Sequence, residues 1–162
     1  MSTSETPGFV DQSVVDVFAG VTAYLTVDDA AAAVAYYGSA FGAVERPGRL
    51  TAPNGKIMHT MMDLFGSVIM LADEYPDMQA FGPTALGGTP VKLNLQVPDA
   101  EAVCDSAVAA GGELLIPVAE QFYGHMAGRL RDPFGHLWII TTPIEVLSPE
   151  EMQQRFSALF DA

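Results

Sequence analysis

The second half of this chain repeats the first half, and this repeat constrains the fold more than any other feature of the sequence. At an offset of 70 residues, segment 27–30 (Val-Asp-Asp-Ala) aligns with 97–100 (Val-Pro-Asp-Ala). At an offset of 69, segment 63–71 aligns with 132–140, and both segments begin with Asp-x-Phe-Gly. A chance match between two apolar strands is the alternative, but the shared landmarks argue against it. The 162 residues therefore hold two copies of one small module.

Both copies predict the same order of elements: a strand, a helix and three further strands. The elements of the first copy are predicted at 21–27, 30–41, 44–50, 56–64 and 67–73. Those of the second copy are predicted at 92–97, 100–110, 113–117, 126–131 and 136–142. Between the copies, Pro and Gly residues predict a long loop over 74–89.

The fold class that follows is α+β, with two βαβββ modules and a C-terminal helix. Ser148, followed by Pro and two Glu, forms a capping box that starts this last helix. The predicted parts are a flexible N-terminal arm, the first module, a linker loop, the second module and the C-terminal helix, at 1–17, 18–74, 75–89, 90–143 and 144–162.

Strand alternation predicts which side chains face the helix of each module and which face away from it. Leu93, Leu95 and Val97 are expected to pack on the helix, so that Lys92, Asn94 and Gln96 face a concave surface. The corresponding row in the first module is Thr22, Tyr24 and Thr26. These polar rows suit a ligand cavity, and the alternative is a solvent-facing side of an open sheet.

The charge balance excludes several classes of partner. Seven Lys and Arg against 20 Asp and Glu give a net charge of −13, which disfavours binding to nucleic acid or to an anionic membrane. A cationic or neutral small ligand would instead be attracted. Cys104 is the single cysteine, so neither an intrachain disulfide nor a cysteine-based zinc site can form. No long apolar run or signal-peptide pattern is present, and we expect a soluble, cytoplasmic protein.

The repeat and several short motifs resemble the vicinal oxygen chelate (VOC) superfamily, which comprises glyoxalase, bleomycin-resistance and extradiol dioxygenase proteins. The two segments that carry this resemblance are 25–29 (Leu-Thr-Val-Asp-Asp) and 129–136 (Arg-Leu-Arg-Asp-Pro-Phe-Gly-His). A closer resemblance to the PhnB-like, or demethylubiquinone-methyltransferase-like, branch rests on segments 57–59, 70–74, 121–124 and 148–152. The resemblance implies that the two modules form a paired, concave, glyoxalase-like sheet.

The resemblance also allows the family's metal site to be tested residue by residue. Catalytic members carry His or Gln on the first strand of each module and Glu on each last strand. The matching positions here are Thr22, Lys92, Met70 and Ile139. None of them suits a divalent ion, because Met is soft, Ile cannot coordinate and an ammonium group repels cations. We therefore expect no metal and no cofactor.

His59, Tyr123 and Lys92 are the candidate catalytic residues, since each can take part in acid–base chemistry. For His59 the alternative is a structural, hydrogen-bonded role, and for Arg129 an ion pair with the acidic surface stands against binding of a ligand carboxylate. The expected ligand-binding residues are Thr22, Tyr24, His59, Met70, Lys92, Asn94, Gln121, Tyr123, Arg129 and Ile139.

Two functions remain open at this stage. The first is a metal-free small-molecule-binding protein that sequesters an antibiotic or a metabolite. The second is a lyase or isomerase of glyoxalase type that uses acid–base residues in the cavity. In either case the single helix of each module leads us to expect a homodimer.

Overall fold

The structure is a computed structural model, and it describes residues 20–161. The predicted N-terminal arm, 1–17, lies outside the described residues. Within the part described, no helix has the length and apolar character needed to cross a membrane.

The first module is a five-stranded sheet with one helix packed on it. Its elements are β1 (Ala23–Val27), α1 (Ala30–Phe41), β2 (Val44–Glu45), β3 (Leu50–Thr51), β4 (Ile57–Leu64) and β5 (Ser67–Asp73). The strand order is β1-β5-β4-β2, and β3 also pairs with β4. The prediction of one strand over 44–50 is wrong, because Pro47 and Gly48 divide it into the two short strands β2 and β3.

The segment between the modules is more ordered than the predicted loop. It contains a 3₁₀ helix at Pro76–Met78 and a short helix α2 at Pro83–Leu86. Each begins with proline, whose fixed φ suits the first helical position. The proline residues that predicted a loop therefore start two short helices.

The second module repeats the order of the first. Its elements are β6 (Lys92–Gln96), α3 (Ala100–Ala109), β7 (Glu113–Gln121), β8 (His125–Arg131) and β9 (Leu137–Pro143), and the helix α4 (Pro149–Ala158) follows it. The strand order is β6-β9-β8-β7. Strand β7 continues past Pro117, where we expected it to end, because its pairing with β8 resumes after an irregularity between Ile116 and Ala119.

Both crossover helices begin in the same way. Asp29 and Asp99 are the N-caps, and each carboxylate accepts from the backbone N–H three residues later. The first N–H of α1 donates to Asp73 Oδ1 at 2.8 Å, and the first N–H of α3 donates to Thr142 Oγ1 at 2.8 Å. In each module a side chain near the end of the last strand thus fixes the start of the helix. The predicted cap of α4 is confirmed, since the Ser148 hydroxyl accepts from Glu151 N–H.

The two modules share one hydrophobic core, in which α1 packs against α3. Leu95 and Val97 are buried against the helices, as predicted. Rings from both modules form the centre of this core: Tyr36, Tyr37, Phe41, Phe134 and Trp138.

A buried carboxylate, Asp132, joins the modules inside this core. The Tyr37 hydroxyl donates to Asp132 Oδ2 at 2.6 Å, and the Trp138 indole N–H donates to the same oxygen at 2.9 Å. Burial, followed by the charge of Asp132, raises the pKa of Tyr37 well above its usual value. Asp132 is therefore the polar link between α1 and the second sheet.

Because both sheets bury one face on the shared helices, their other faces point away from the core. We call these the outer face of the first sheet and the outer face of the second sheet. No hydrogen-bonded strand pair joins the two sheets within residues 20–161. The two outer faces therefore belong to two sheets that are not hydrogen-bonded to each other in this part of the chain.

Candidate ligand-binding site

The outer face of the first sheet holds three of the predicted site residues side by side. Tyr24 on β1 lies opposite Met70 on β5, and Met70 lies opposite Met61 on β4. His59 lies two residues before Met61 on the same face, because the alternating residues Thr60 and Met62 are buried against the helix layer. Thr22 precedes β1 and is half-buried.

Tyr24 and His59 form a hydrogen-bonded pair on this face. The Tyr24 hydroxyl oxygen lies 2.8 Å from His59 Nδ1 and 3.3 Å from the backbone carbonyl oxygen of Met58. Both bonds form together only when the hydroxyl donates to the carbonyl and Nδ1–H donates to the hydroxyl. That tautomer leaves His59 Nε2 as an acceptor. Partial burial raises the pKa of Tyr24, so the phenol stays neutral.

The outer face of the second sheet carries the other predicted residues. Asn94, Ile139, Arg129 and Ile116 lie in one row across β6, β9, β8 and β7. Lys92 lies two residues before Asn94 and is exposed on the same face, as the alternation predicted.

A cavity of about 240 Å³ opens on this face, and it contains four of the sequence-predicted residues. Its lining includes the side chains of Ile116, Gln121, Phe122, Tyr123, Arg129 and Ile139. Ile116 was not predicted as a site residue: it lies within the strand predicted at 113–117, but the facing of the side chains of that strand was not assigned. The cavity is mainly apolar, with one guanidinium, one amide and one phenol as polar groups, which is the pattern of a small-molecule site.

The wall of the cavity is the hairpin between β7 and β8, and its turn requires a glycine. Gly124 has φ +79°, and a Cβ there would come within 2.7 Å of the Glu145 carbonyl oxygen. The C-terminal helix supports the same wall, since the Phe156 ring lies 5.3 Å from the Phe122 ring. Helix α4 therefore packs beside the cavity, although most of its apolar side chains stay exposed.

The basic residues of the chain are unevenly paired. Four of them form ion pairs with acidic side chains: Arg46, Arg49, Arg131 and Arg155. Lys56 donates to the Glu74 carbonyl oxygen at 2.8 Å. Lys92 and Arg129 form no hydrogen bond or ion pair through their side chains with any residue in 20–161. Both of these cations lie on the outer face of the second sheet.

The residues at the family's metal positions do not fit a divalent ion. The structure places Tyr24 opposite Met70 and Asn94 opposite Ile139, two residues beyond the aligned Thr22 and Lys92. Neither register supplies the carboxylates and imidazoles that such an ion needs. Among residues 20–161, no group of three or more His, Cys, Asp or Glu is arranged to hold a metal ion.

A larger cleft of about 340 Å³ lies between the edge strands β1 and β6. Its lining is mostly apolar and includes Phe81 and Leu86, and Tyr24 is the one predicted site residue that it contains. The side chain of His136 reaches the first module, with Nε2 3.0 Å from the Thr26 carbonyl oxygen. The polar side chains that line this cleft belong to Tyr24, Thr26, Thr89 and His136, with no Lys or Arg among them, whereas the cavity on the outer face of the second sheet contains a guanidinium.

Apart from Thr22, which precedes β1, the predicted site residues fall into two groups, one on each outer face. Tyr24, His59 and Met70 share the first outer face. The second outer face carries Lys92, Asn94, Gln121, Tyr123, Arg129 and Ile139.

Comparison with known proteins gives one family. The family model described as the Glyoxalase/Bleomycin resistance protein/Dioxygenase superfamily matches residues 17–140. An uncharacterized protein of Mycobacterium tuberculosis is 36% identical over 154 residues, which are 93% of this chain and 90% of the relative. An uncharacterized protein of Arabidopsis thaliana is 31% identical over 129 residues, which are 75% of this chain and 76% of the relative.

Solved structures share the fold. The structure of the Arabidopsis thaliana gene product matches with a TM-score of 0.59 at 31% identity, covering 76% of this chain and 98% of that one. The structure of TioX from a Micromonospora species matches with a TM-score of 0.60 at 26% identity, covering 77% of this chain and 100% of that one.

Proposed function

The chain belongs to the glyoxalase/bleomycin resistance protein/dioxygenase superfamily, and from this premise we propose that it binds a small molecule without a divalent metal ion. Sequestration of an antibiotic or a metabolite is the role that we infer for it. We also assign it to the PhnB-like branch, on the motifs at 57–59, 70–74 and 121–124.

The observation that carries this proposal is the cavity on the outer face of the second sheet. It gathers Gln121, Tyr123, Arg129 and Ile139, four residues that the sequence predicts as ligand-binding. A phenol, an amide and a guanidinium around an apolar floor can orient a ligand. The metal positions in both modules carry side chains that hold no hard cation, so binding does not depend on one.

We propose that the working unit is a homodimer in the cytoplasm. In a dimer, the first outer face of one copy can meet the second outer face of another, which would unite the two groups of site residues. Exposed apolar side chains on and beside α4, among them Val146, Phe156 and Phe160, support the need for a partner surface. The one thiol, Cys104, is free and buried, as is common in a reducing compartment.

A ligand screen tests this proposal. Thermal shift of the full chain would be measured with a panel of antibiotics, α-keto acids and thiol adducts, after elemental analysis of the protein. Hits that bind in the proposed cavity should weaken in Tyr123→Ala and persist in Phe81→Ala, which alters only the cleft between β1 and β6. Hits that depend on Phe81 and not on Tyr123 would refute the assignment of the site.

A lyase or isomerase activity is the second candidate, and the Tyr24–His59 pair favours it. The hydrogen bond of 2.8 Å orients the imidazole and leaves Nε2 as an acceptor, which is what a general base needs. His59→Gln should abolish turnover of any substrate while leaving its binding within about threefold. Turnover that survives this change would exclude His59 as the base.

A further inference from the structure

We infer that the ligand is a planar small molecule with a carboxylate group, and that Arg129 binds this carboxylate. The inference rests on the proposed small-molecule function and specifies the chemistry of its ligand. Two observations carry it: the pairing of the basic residues and the lining of the cavity.

The first observation is the pairing of charges. The chain has 20 acidic residues against seven basic ones, so acidic partners are abundant. Arg131, two residues from Arg129 on the same strand and face, pairs with Glu113 at 2.9 Å. Arg129 has no such partner in residues 20–161. The net charge of −13 favours cationic ligands at long range. On the outer face of the second sheet, however, the two cations without an ion-pair partner in residues 20–161, Lys92 and Arg129, favour an anion.

The second observation is the surroundings of the guanidinium. Arg129 lies between Ile139 and Ile116 in the row across the sheet, with the Phe122 and Tyr123 rings in the same cavity. Arg129 is exposed at the cavity, and a guanidinium binds a carboxylate through two parallel hydrogen bonds. The aromatic wall suits a flat ring beside that carboxylate. The cavity is smaller than the roughly 300–1,000 Å³ of drug-sized sites, so it accepts a small acid or one end of a larger one.

The experiment uses the full chain and matched aromatic probes that differ in one group. One-, two- and three-ring scaffolds would each be tested as the carboxylate, the carboxamide and the aminomethyl compound. Their dissociation constants would be measured by ligand-observed NMR and calorimetry. The carboxylates should bind about tenfold more tightly than the amides, because a charge-assisted bond is worth about one decade of affinity or more. The amines should bind more weakly still.

Variants then test the role of Arg129. Arg129→Gln should bring carboxylates and amides to within about twofold of each other, whereas Arg131→Gln, the matched control with an existing partner, should retain the preference. Lys92→Gln should reduce the preference by a smaller factor, since Lys92 lies outside the cavity lining.

Each contrary result has a distinct meaning. Equal binding of all three probe types, with loss of all three in Tyr123→Ala, overturns this inference and leaves the proposed function standing. A carboxylate preference that persists in Arg129→Gln also overturns it. If no probe binds, both proposals fail. If Arg129→Gln leaves binding unchanged but raises the monomer fraction in sedimentation, the guanidinium pairs with a second copy and the inference is wrong.

Discussion

Removing the Tyr37 hydroxyl should destabilise the protein, and the loss should depend on pH in a defined direction. In Tyr37→Phe the hydrogen bond of 2.6 Å to Asp132 disappears, while the fully buried ring stays in place. A hydrogen bond to a charged group is worth about 1.5–3 kcal/mol. Asp132 keeps the Trp138 indole N–H and two backbone N–H donors, so the lower end, about 2 kcal/mol, is expected at neutral pH.

The pH dependence follows from the raised pKa of Tyr37. Its folded-state pKa lies above the unfolded value of about 10, so the unfolded chain releases this proton first as the pH rises. The stabilising contribution is therefore complete below about pH 10, and above it declines by about 1.4 kcal/mol per pH unit. The difference in unfolding free energy between the wild type and Tyr37→Phe should shrink in that range.

Urea denaturation followed by fluorescence, at several pH values, measures both effects. Tyr75→Phe is the matched control, because the Tyr75 hydroxyl is buried and has no partner within residues 20–161. Its removal should leave stability unchanged or slightly increased. Equal stabilities of Tyr37→Phe and Tyr75→Phe at neutral pH would refute the role given to Asp132, and a pH-independent difference would refute the pKa argument.

Four further outcomes are expected. Thr141→Val should raise the unfolding free energy of the protein by about 1 kcal/mol, because the buried Thr141 hydroxyl has no partner within residues 20–161, and a destabilised variant would show that the hydroxyl has one. Gly112→Ala should cost about 1–3 kcal/mol in a denaturation assay, because its Cβ would lie 2.5 Å from the Tyr36 hydroxyl. Lys92→Met should change stability by less than about 0.5 kcal/mol, since Lys92 is exposed and without a partner in the described residues, and a larger loss would indicate an ion pair. Protein purified without chelator should carry well under one equivalent of zinc, nickel, iron or manganese by elemental analysis, and a stoichiometric metal would overturn our reading of the metal positions.

The fold was largely predictable because the repeat and the strand alternation both report on burial. The bounds of α1 and β5 agree with the prediction, since caps and turns mark their ends. The prediction failed at proline residues, because proline is compatible with more than one local structure. Pro47 interrupts a strand, Pro117 lies inside one, and Pro83 starts a helix. Only the pairing of strands and the packing of the linker decide between these outcomes, and neither is local in sequence.

The residues of the candidate site could be predicted from the sequence, but their division between the two outer faces could not. Alternation placed Lys92 and Asn94 on the correct face, and the hairpin motif at 121–124 indicated the aromatic wall. Alternation says nothing about how two modules are arranged, so it could not separate the two outer faces. The role of His136 was missed for the same reason, because its partner carbonyl, Thr26, lies 110 residues away.

The start of each crossover helix has a consequence for how the chain folds. The first N–H of α1 is satisfied by Asp73, 43 residues later, and that of α3 by Thr142, 42 residues later. In each helix this N–H gains its protein partner only when the last strand of the module has paired beside the first strand. Because the two partners are far apart in sequence, we expect this bond to form late in the folding of each module. Both copies keep this long-range contact, although the acceptor is a carboxylate in one and a hydroxyl in the other.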